Sequence, residues 1–225
     1  MMIRKSFALL VIVLCITSCA GIPYQDEAQY AYEEGLALFN QGKYTEAIPH
    51  FQRAIERDPE YSSPYLYLGR SYLNLSQWTD AIHPLRTAFR LSPEEFKEEI
   101  VSLLLDALIV GAITEFKKGY FKGSTGYVRE ALSLDPDSQR AQDELIASLI
   151  ALGSQFLSDG NISDAIPAFS EAIELSPDNF EAYIGLAKAF LKNGNYLMAV
   201  ETPNKAVNID PENRDAQDHI KELLK

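Results

Sequence analysis

Apolar and small side chains recur with helical spacing along residues 28–60, AQYAYEEGLALFNQGKYTEAIPHFQRAIERDPE. This spacing predicts two short antiparallel helices joined by a turn at 41–43, and Asp58 and Pro59 end the unit. Small residues stand where the helices touch, and larger apolar residues fill the space between them. The small residues are Ala31, Gly35, Ala47 and Ala54, and the larger ones are Leu38, Tyr44 and Phe51. Such a hairpin buries its apolar face only when similar hairpins stack on it.

The same pattern returns along the rest of the chain, and a proline ends each copy. These prolines are Pro59, Pro93, Pro136, Pro177 and Pro211, at spacings of 34, 43, 41 and 34 residues. The third and fourth units therefore contain nine and seven additional residues, which we expect to extend the first helix of each unit. The predicted units are 28–61, 62–95, 105–138 with a first helix from about 94, 146–179 with a first helix from about 137, and 180–213.

The repeated unit has a recognisable set of residue types. In the second unit these residues are Tyr65, Leu68, Gly69 and Tyr72, followed by Ala81, Leu85, Ala88 and Pro93. This 34-residue pattern resembles the tetratricopeptide repeat. The resemblance implies an all-α fold, a right-handed superhelical solenoid of about five helix hairpins. Residues 214–225 repeat a first-helix pattern once more, and they are predicted to form a C-terminal capping helix.

Residues 1–18 have the features of a secretory signal peptide. Arg4 and Lys5 precede an apolar run at 7–16, which is too short to span a bilayer as a helix. The sequence Ile-Thr-Ser-Cys that ends at Cys19 resembles the lipobox of bacterial lipoproteins. The resemblance implies cleavage before Cys19 and covalent attachment of lipid, including fatty acyl groups such as palmitate, to that residue. An ordinary signal peptide next to an unmodified cysteine is the alternative.

The lipobox resemblance also implies a location. Residues 19–27 would form a lipidated tether that holds the protein at a membrane of the bacterial cell envelope. Ala20, the residue after the modified cysteine, implies the outer membrane, with the protein facing the periplasm. The lipid on Cys19 is the one non-protein group that the sequence predicts. A formal net charge of −12 at pH 7 argues against nucleic acid as a partner, because that binding depends on Lys and Arg neutralising phosphates.

The sequence contains no motif that points to catalysis or metal binding. The three histidines, His50, His83 and His219, fall in different units and lack cysteine or acidic partners at ligand spacing. The segment KGSTG at 122–126 does not match a phosphate-binding loop, and it is predicted to be a flexible turn between two helices. We therefore expect a protein that is not an enzyme.

Residues 100–116, IVSLLLDALIVGAITEF, are apolar almost all round the predicted helix. A helix of this type is normally buried. Its extended front could pack on the extended helix of the fourth unit, at 145–152, or on another chain. The second possibility predicts a structural lipoprotein that self-associates into a homo-oligomer through this helix. A membrane span is a third possibility, which Asp106 in the middle of the segment disfavours.

The repeat resemblance also implies where a partner binds. In this family the first helices line the concave surface. Carried onto this sequence, that rule gives the candidate residues Tyr32, Phe39, Leu66, Arg70, Asn74, Ile109, Lys117, Ile150, Ser154, Ile184, Lys188 and Lys192. The surface is mostly apolar, and its four cations are predicted to stand alone. This composition suits a peptide or an amphipathic helix. We expect a membrane-anchored scaffold or adaptor for a protein partner, of the type that serves secretion, pilus or envelope assembly.

Overall fold

The computed structural model describes residues 24–209, and this range consists of ten α-helices with no strand. Consecutive helices pair as five antiparallel hairpins that stack in chain order. The all-α solenoid prediction is confirmed. The predicted signal peptide, Cys19 and the cap at 214–225 lie outside the described residues. The helices are α1 (Tyr24–Asn40), α2 (Tyr44–Arg57), α3 (Ser62–Asn74), α4 (Trp78–Leu91), α5 (Glu94–Lys117), α6 (Phe121–Leu134), α7 (Gln139–Ser158), α8 (Ile162–Leu175), α9 (Phe180–Lys192) and α10 (Tyr196–Ile209).

All five hairpin turns use one residue with positive φ. Four of these residues are glycines, Gly42, Gly119, Gly160 and Gly194, with φ between 75° and 80°. Glycine suits this position because it has no Cβ to clash in the left-handed region. In the first turn the amide of Lys43 donates to the carbonyl of Leu38 at 3.0 Å. Ser76 takes the same role in the second hairpin, with φ 58°, so the stacked hairpins impose this turn even on a residue with a side chain.

Within three hairpins, a glycine of the first helix lies against a large side chain of the second. A Cβ on Gly35 would lie 2.8 Å from Phe51 Cε1, and a Cβ on Gly69 would lie 2.6 Å from Leu85 Cγ. These separations are shorter than real Cβ contacts allow. The repeated glycine therefore lets the two helices of a hairpin approach closely, while the side chain beneath it is fully buried.

The additional residues of the third and fourth hairpins lie in α5 and α7, which have 24 and 20 residues where α3 and α9 have 13. Leu104 and Leu108 of α5 belong to the same buried cluster as Leu145 and Leu149 of α7. Seven residues of 100–116 are buried by this chain itself. They are Ile100, Leu104, Ala107, Leu108, Ile109, Gly111 and Ala112. Along residues 24–209, no helix has both the length and the apolar character to cross a membrane.

The segment at 122–126 is helical, which corrects the prediction of a flexible turn. It lies within α6, and the turn is formed by the residues just before that helix. Ser124 is fully buried and takes the position that Ala47 and Ala81 hold in the first two hairpins. Its hydroxyl hydrogen-bonds the hydroxyl of Ser148 in α7 at 2.7 Å. Tertiary packing therefore overrides the weak helix propensity of this Gly- and Ser-containing sequence.

Candidate partner-binding surface

The first helices of the five hairpins contact one another in order along the stack. Together α1, α3, α5, α7 and α9 form what we call the first-helix surface, and all twelve candidate residues belong to these helices. Several open cavities lie on this surface within residues 24–209. One is between α7 and α9, with a volume of about 540 Å³. A second, of about 360 Å³, is between α3 and α5. A third, of about 460 Å³, lies along the front of α5 and is lined by Glu95, Glu98, Glu99, Ser102 and Leu103.

The α7–α9 cavity brings together five of the candidate residues. They are Ile150, Ser154, Ile184, Lys188 and Lys192. The two isoleucines form an apolar floor and are each 7% exposed, while both lysines are exposed at the rim. Lys192 Nζ donates to the carbonyl oxygen of Leu157 at 2.9 Å, so this side chain ties α9 to α7. Lys188 has no ion-pair partner among residues 24–209. The cavity thus combines an apolar interior with charged side chains at its edge, Lys188, Lys192 and Glu181.

The α3–α5 cavity contains Phe39, Arg70 and Asn74 of the candidate set, together with Asp106. Here the structure corrects the prediction that Arg70 stands alone. Its guanidinium forms an ion pair with Glu99, on the extended front of α5. Pattern reasoning missed this partner because Glu99 lies in the additional residues of the third unit, which have no counterpart in a regular repeat. This cavity is therefore more polar, and its cation is largely neutralised.

Three of the other candidates lie in closely packed parts of the first-helix surface. Ile109 is 4% exposed and packs in the core. The prediction that this residue is available to a partner is therefore wrong. It belongs to the buried cluster that also contains residues of α4, α6 and α7. Tyr32 and Leu66 are half-buried near the contact of the first two hairpins. Burial raises the pKa of Tyr32 to about 12, and the neighbouring hydroxyls of Tyr67 and Tyr61 act in the same direction.

Lys117 ends α5 and is exposed. It lies near Glu144 of α7, whose pKa is raised by burial and lowered in part by the positive charges of Arg140 and Lys117. Arg140 Nη1 also lies 3.7 Å from Asp106 Oδ1, across the contact between α5 and α7. Charged pairs therefore lie across the middle of the first-helix surface, at the contact between α5 and α7.

Six residues that line the α7–α9 cavity were not among the candidates: Leu157, Ser158, Phe169, Glu181, Gly185 and Leu191. Phe169 belongs to α8, a second helix, and Gly185 has no side chain, so a rule based on first-helix side chains finds neither of these two. The sequence does distinguish Gly185 when the repeats are compared position by position. The corresponding position of the second hairpin is occupied by Tyr67, a large aromatic residue.

Comparison with known families and proteins gives a consistent result. Tetratricopeptide repeat models match residues 24–62, 32–96 and 180–213, and a TPR repeat model matches residues 153–194. The chain is 30% identical over 116 residues to Hsp70-Hsp90 organizing protein 1 of Glycine max, covering 52% of this chain and 19% of that protein. It is 31% identical over 158 residues to BBSome complex member BBS4 of Xenopus tropicalis, covering 70% of this chain and 27% of that protein.

The chain therefore spans about a fifth to a third of the length of the curated relatives it matches. Among solved structures, it is similar to YrrB, described as a TPR protein with an unusual peptide-binding site. That similarity has 18% sequence identity, covers 88% of this chain and 93% of YrrB, and has a TM-score of 0.36. The repeat models together match 24–96 and 153–213, which is more than half of the sequence, and the chain belongs to the tetratricopeptide repeat family.

Proposed function

We propose that this protein is a lipid-anchored scaffold of the bacterial cell envelope that binds a peptide or protein partner on its first-helix surface. The observation that carries the proposal is the α7–α9 cavity, an apolar volume of about 540 Å³ with Lys188 exposed at its rim. Binding sites for small ligands and side chains are typically concave and apolar, with a few polar groups that fix orientation. The role requires binding and no catalysis.

The names of the matched relatives support a role in association with other proteins. One is named for organizing Hsp70 and Hsp90, and another is named as a member of the BBSome complex. Neither name specifies a partner for this chain. Because the chain has a negative net charge, it repels a partner with a large negative charge. We therefore expect the partner to be held locally, by the apolar cavity and its lysines.

Partner capture from detergent-solubilised membranes of the source bacterium tests the binding surface. The test variant is Ser154→Glu/Lys188→Glu, because both side chains are exposed at the α7–α9 cavity and neither is part of the core. Lys122→Glu is the matched control, since Lys122 is exposed on α6 and lines none of these cavities. We expect proteins that co-purify with the wild type and the control to be lost from the double variant. If the double variant retains every partner, the α7–α9 cavity is not the binding site and the observation that carries the proposal fails.

The anchor is a separate part of the proposal. The lipobox-like sequence before Cys19 supports it, and each buried methylene of an attached acyl chain contributes about 0.8 kcal/mol to membrane attachment. Mass spectrometry of the mature N-terminal peptide should find a lipid on Cys19, and Cys19→Ser should release the protein from the outer-membrane fraction. An unmodified thiol on the mature protein would contradict the anchor and leave the scaffold role intact.

A further inference from the structure

The α7–α9 cavity has a filled counterpart within the same chain. In the sequence, repeats one and four end at Pro59 and Pro177, and repeats two and five end at Pro93 and Pro211, so both pairs of prolines are 118 residues apart. This constant offset relates the two contacts between hairpins position by position. The corresponding residues are Tyr32 and Ile150, Phe39 and Leu157, Phe51 and Phe169, Tyr67 and Gly185, and Arg70 and Lys188.

In the first two hairpins, the ring of Tyr67 fills the space between the first helices. Its centroid lies 5.8 Å from that of Tyr32, 5.2 Å from that of Phe39 and 5.9 Å from that of Phe51. The guanidinium carbon of Arg70 lies 5.4 Å from the same ring centroid. Tyr67 therefore shows how this arrangement of helices holds an aromatic side chain, with apolar groups around the ring and a cation over it.

At the corresponding place between α7 and α9 there is a glycine and an open cavity. Ile150, Leu157 and Phe169, the counterparts of the three residues around Tyr67, all line it. Lys188, the counterpart of Arg70, also lines it. A Cβ on Gly185 would meet the ring of Phe169, with Cδ1 and Cζ no more than 2.5 Å away. The α9 backbone is too close to Phe169 for residue 185 to supply a ring of its own.

We propose that the α7–α9 cavity binds an aromatic side chain of the partner, in the place that Tyr67 occupies in the first two hairpins. This inference rests on the proposed scaffold function and names the chemistry that the surface recognises. Lys188 is the cation that covers the bound ring, as Arg70 covers Tyr67. An aromatic ring is preferred over an aliphatic side chain because it combines a large apolar area with attraction to the lysine charge.

The test uses acetylated and amidated pentapeptides Gly-Gly-X-Gly-Gly, in which X is tyrosine, phenylalanine, leucine or alanine. Each is titrated into the full chain in lipid nanodiscs, with the isoleucine and leucine methyl groups labelled for NMR. We expect the tyrosine and phenylalanine peptides to shift the methyl signals of Ile150, Leu157 and Ile184. The leucine peptide should bind about threefold or more weakly, and the alanine peptide should leave these signals unchanged.

Four variants distinguish this site from general surface binding. Ser154→Trp fills the cavity from an exposed position and should abolish the shifts, whereas Gln155→Trp, on the next exposed residue outside the cavity, should preserve them. Lys188→Gln should weaken the tyrosine peptide about two- to fivefold and leave the leucine peptide unaffected. Lys188→Arg should keep the binding of both peptides.

Equal binding of the leucine and tyrosine peptides would overturn the inference, as would shifts that persist in Ser154→Trp or the absence of any shift. Partner capture is an independent measurement. If proteins co-purify and are lost from Ser154→Glu/Lys188→Glu while the peptides show no aromatic preference, the scaffold function stands and the aromatic site is wrong. If the peptides bind as expected but no protein co-purifies, the aromatic site stands and the scaffold function fails.

Discussion

Gly185 of α9 lies directly against the ring of Phe169 in α8. The same ring lies against Gly153 of α7, where a Cβ would be 2.9 Å from Phe169 Cε2. Phe169 is fully buried, so one ring joins the fourth hairpin to the fifth through two glycines. This contact forms the inner wall of the α7–α9 cavity.

Gly185→Ala should destabilise the protein by about 1–3 kcal/mol, because the added methyl group requires the buried ring of Phe169 or the α9 backbone to move. Urea unfolding of wild type and variant measures the change in the free energy of unfolding. Gly126→Ala is the control in another helix. No atom lies within 4 Å of a Cβ placed on Gly126, so this variant should gain about 0.5–1 kcal/mol from helix propensity. Equal stability of Gly185→Ala and wild type would contradict the close contact.

The buried hydroxyl pair Ser124–Ser148 should show strong energetic coupling. Removing one hydroxyl leaves the other without this partner in the core, so Ser124→Ala or Ser148→Ala alone should cost about 1–3 kcal/mol. The double variant removes both polar groups and should be close to wild type in stability. A double-mutant cycle by urea unfolding measures the coupling. If the two single effects simply add, the hydroxyls do not depend on each other.

Two ion pairs link the second helices of hairpins two, three and four. Arg86 pairs with Glu130, and Arg129 pairs with Glu171 at 2.7 Å. All four side chains are partly exposed, with 30–52% of their surface accessible. Each pair should therefore contribute about 0.2–1 kcal/mol at low salt, and the contribution should largely disappear at about 1 M NaCl. Arg86 contacts Glu130 through two nitrogens, so its pair should be the stronger.

The effect can be measured as the coupling between Arg86→Ala and Glu130→Ala, and between Arg129→Ala and Glu171→Ala, at two salt concentrations. Coupling that stays the same at high salt would show that these pairs act through packing of their side chains rather than through charge.

Ionisation of Tyr32 should make the protein less stable in strongly alkaline solution. Its pKa is raised to about 12 by burial, while in the unfolded chain it is about 10. Below pH 10 both states keep the proton and this source of stability is fully present. Between pH 10 and 12 the unfolded state loses the proton first, so stability falls as the pH rises. Burial also raises the pKa of Tyr61, which adds to the loss.

Urea unfolding between pH 9 and pH 12 checks this expectation, with Tyr32→Phe as the comparison. Phenylalanine keeps the ring contacts with Phe51, Tyr61 and Tyr67 but has no proton to lose. The variant should show a smaller loss of stability over this range and behave like wild type at pH 7. An identical pH dependence in both proteins would mean that Tyr32 titrates normally.

Much of the fold was predictable because its signals are local. The five terminal prolines, the small residues such as Gly35 and Ala47, and the turn glycines recur with the repeat, and each acts within one hairpin. Exceptions arose where a position depends on neighbouring hairpins. The segment around Ser124 has turn-like residues, yet contact with Ser148 keeps it helical.

The candidate site was predictable only in part. First-helix positions such as Ile150, Ser154 and Lys188 do meet at one cavity, as the family pattern implies, although whether a partner binds them stays a prediction. The same pattern also proposed Ile109, which is buried in the core, and treated Arg70 as unpaired. The error at Arg70 comes from the additional residues of α5, which bring Glu99 into the surface. The burial of Ile109 depends on packing between hairpins.

The sequence by itself determined the class of the protein, the number and order of its hairpins and the helices that carry the candidate residues. These follow from residue spacing within 34–43 positions, and hydrophobic periodicity reports such spacing directly. Only the tertiary structure decided which of those residues are open, because that depends on distances between hairpins. Tyr67 and Gly185 occupy the same position of their repeats in the sequence. Only the stacked structure shows that the ring of Tyr67 fills the space between its helices, whereas a cavity remains at Gly185.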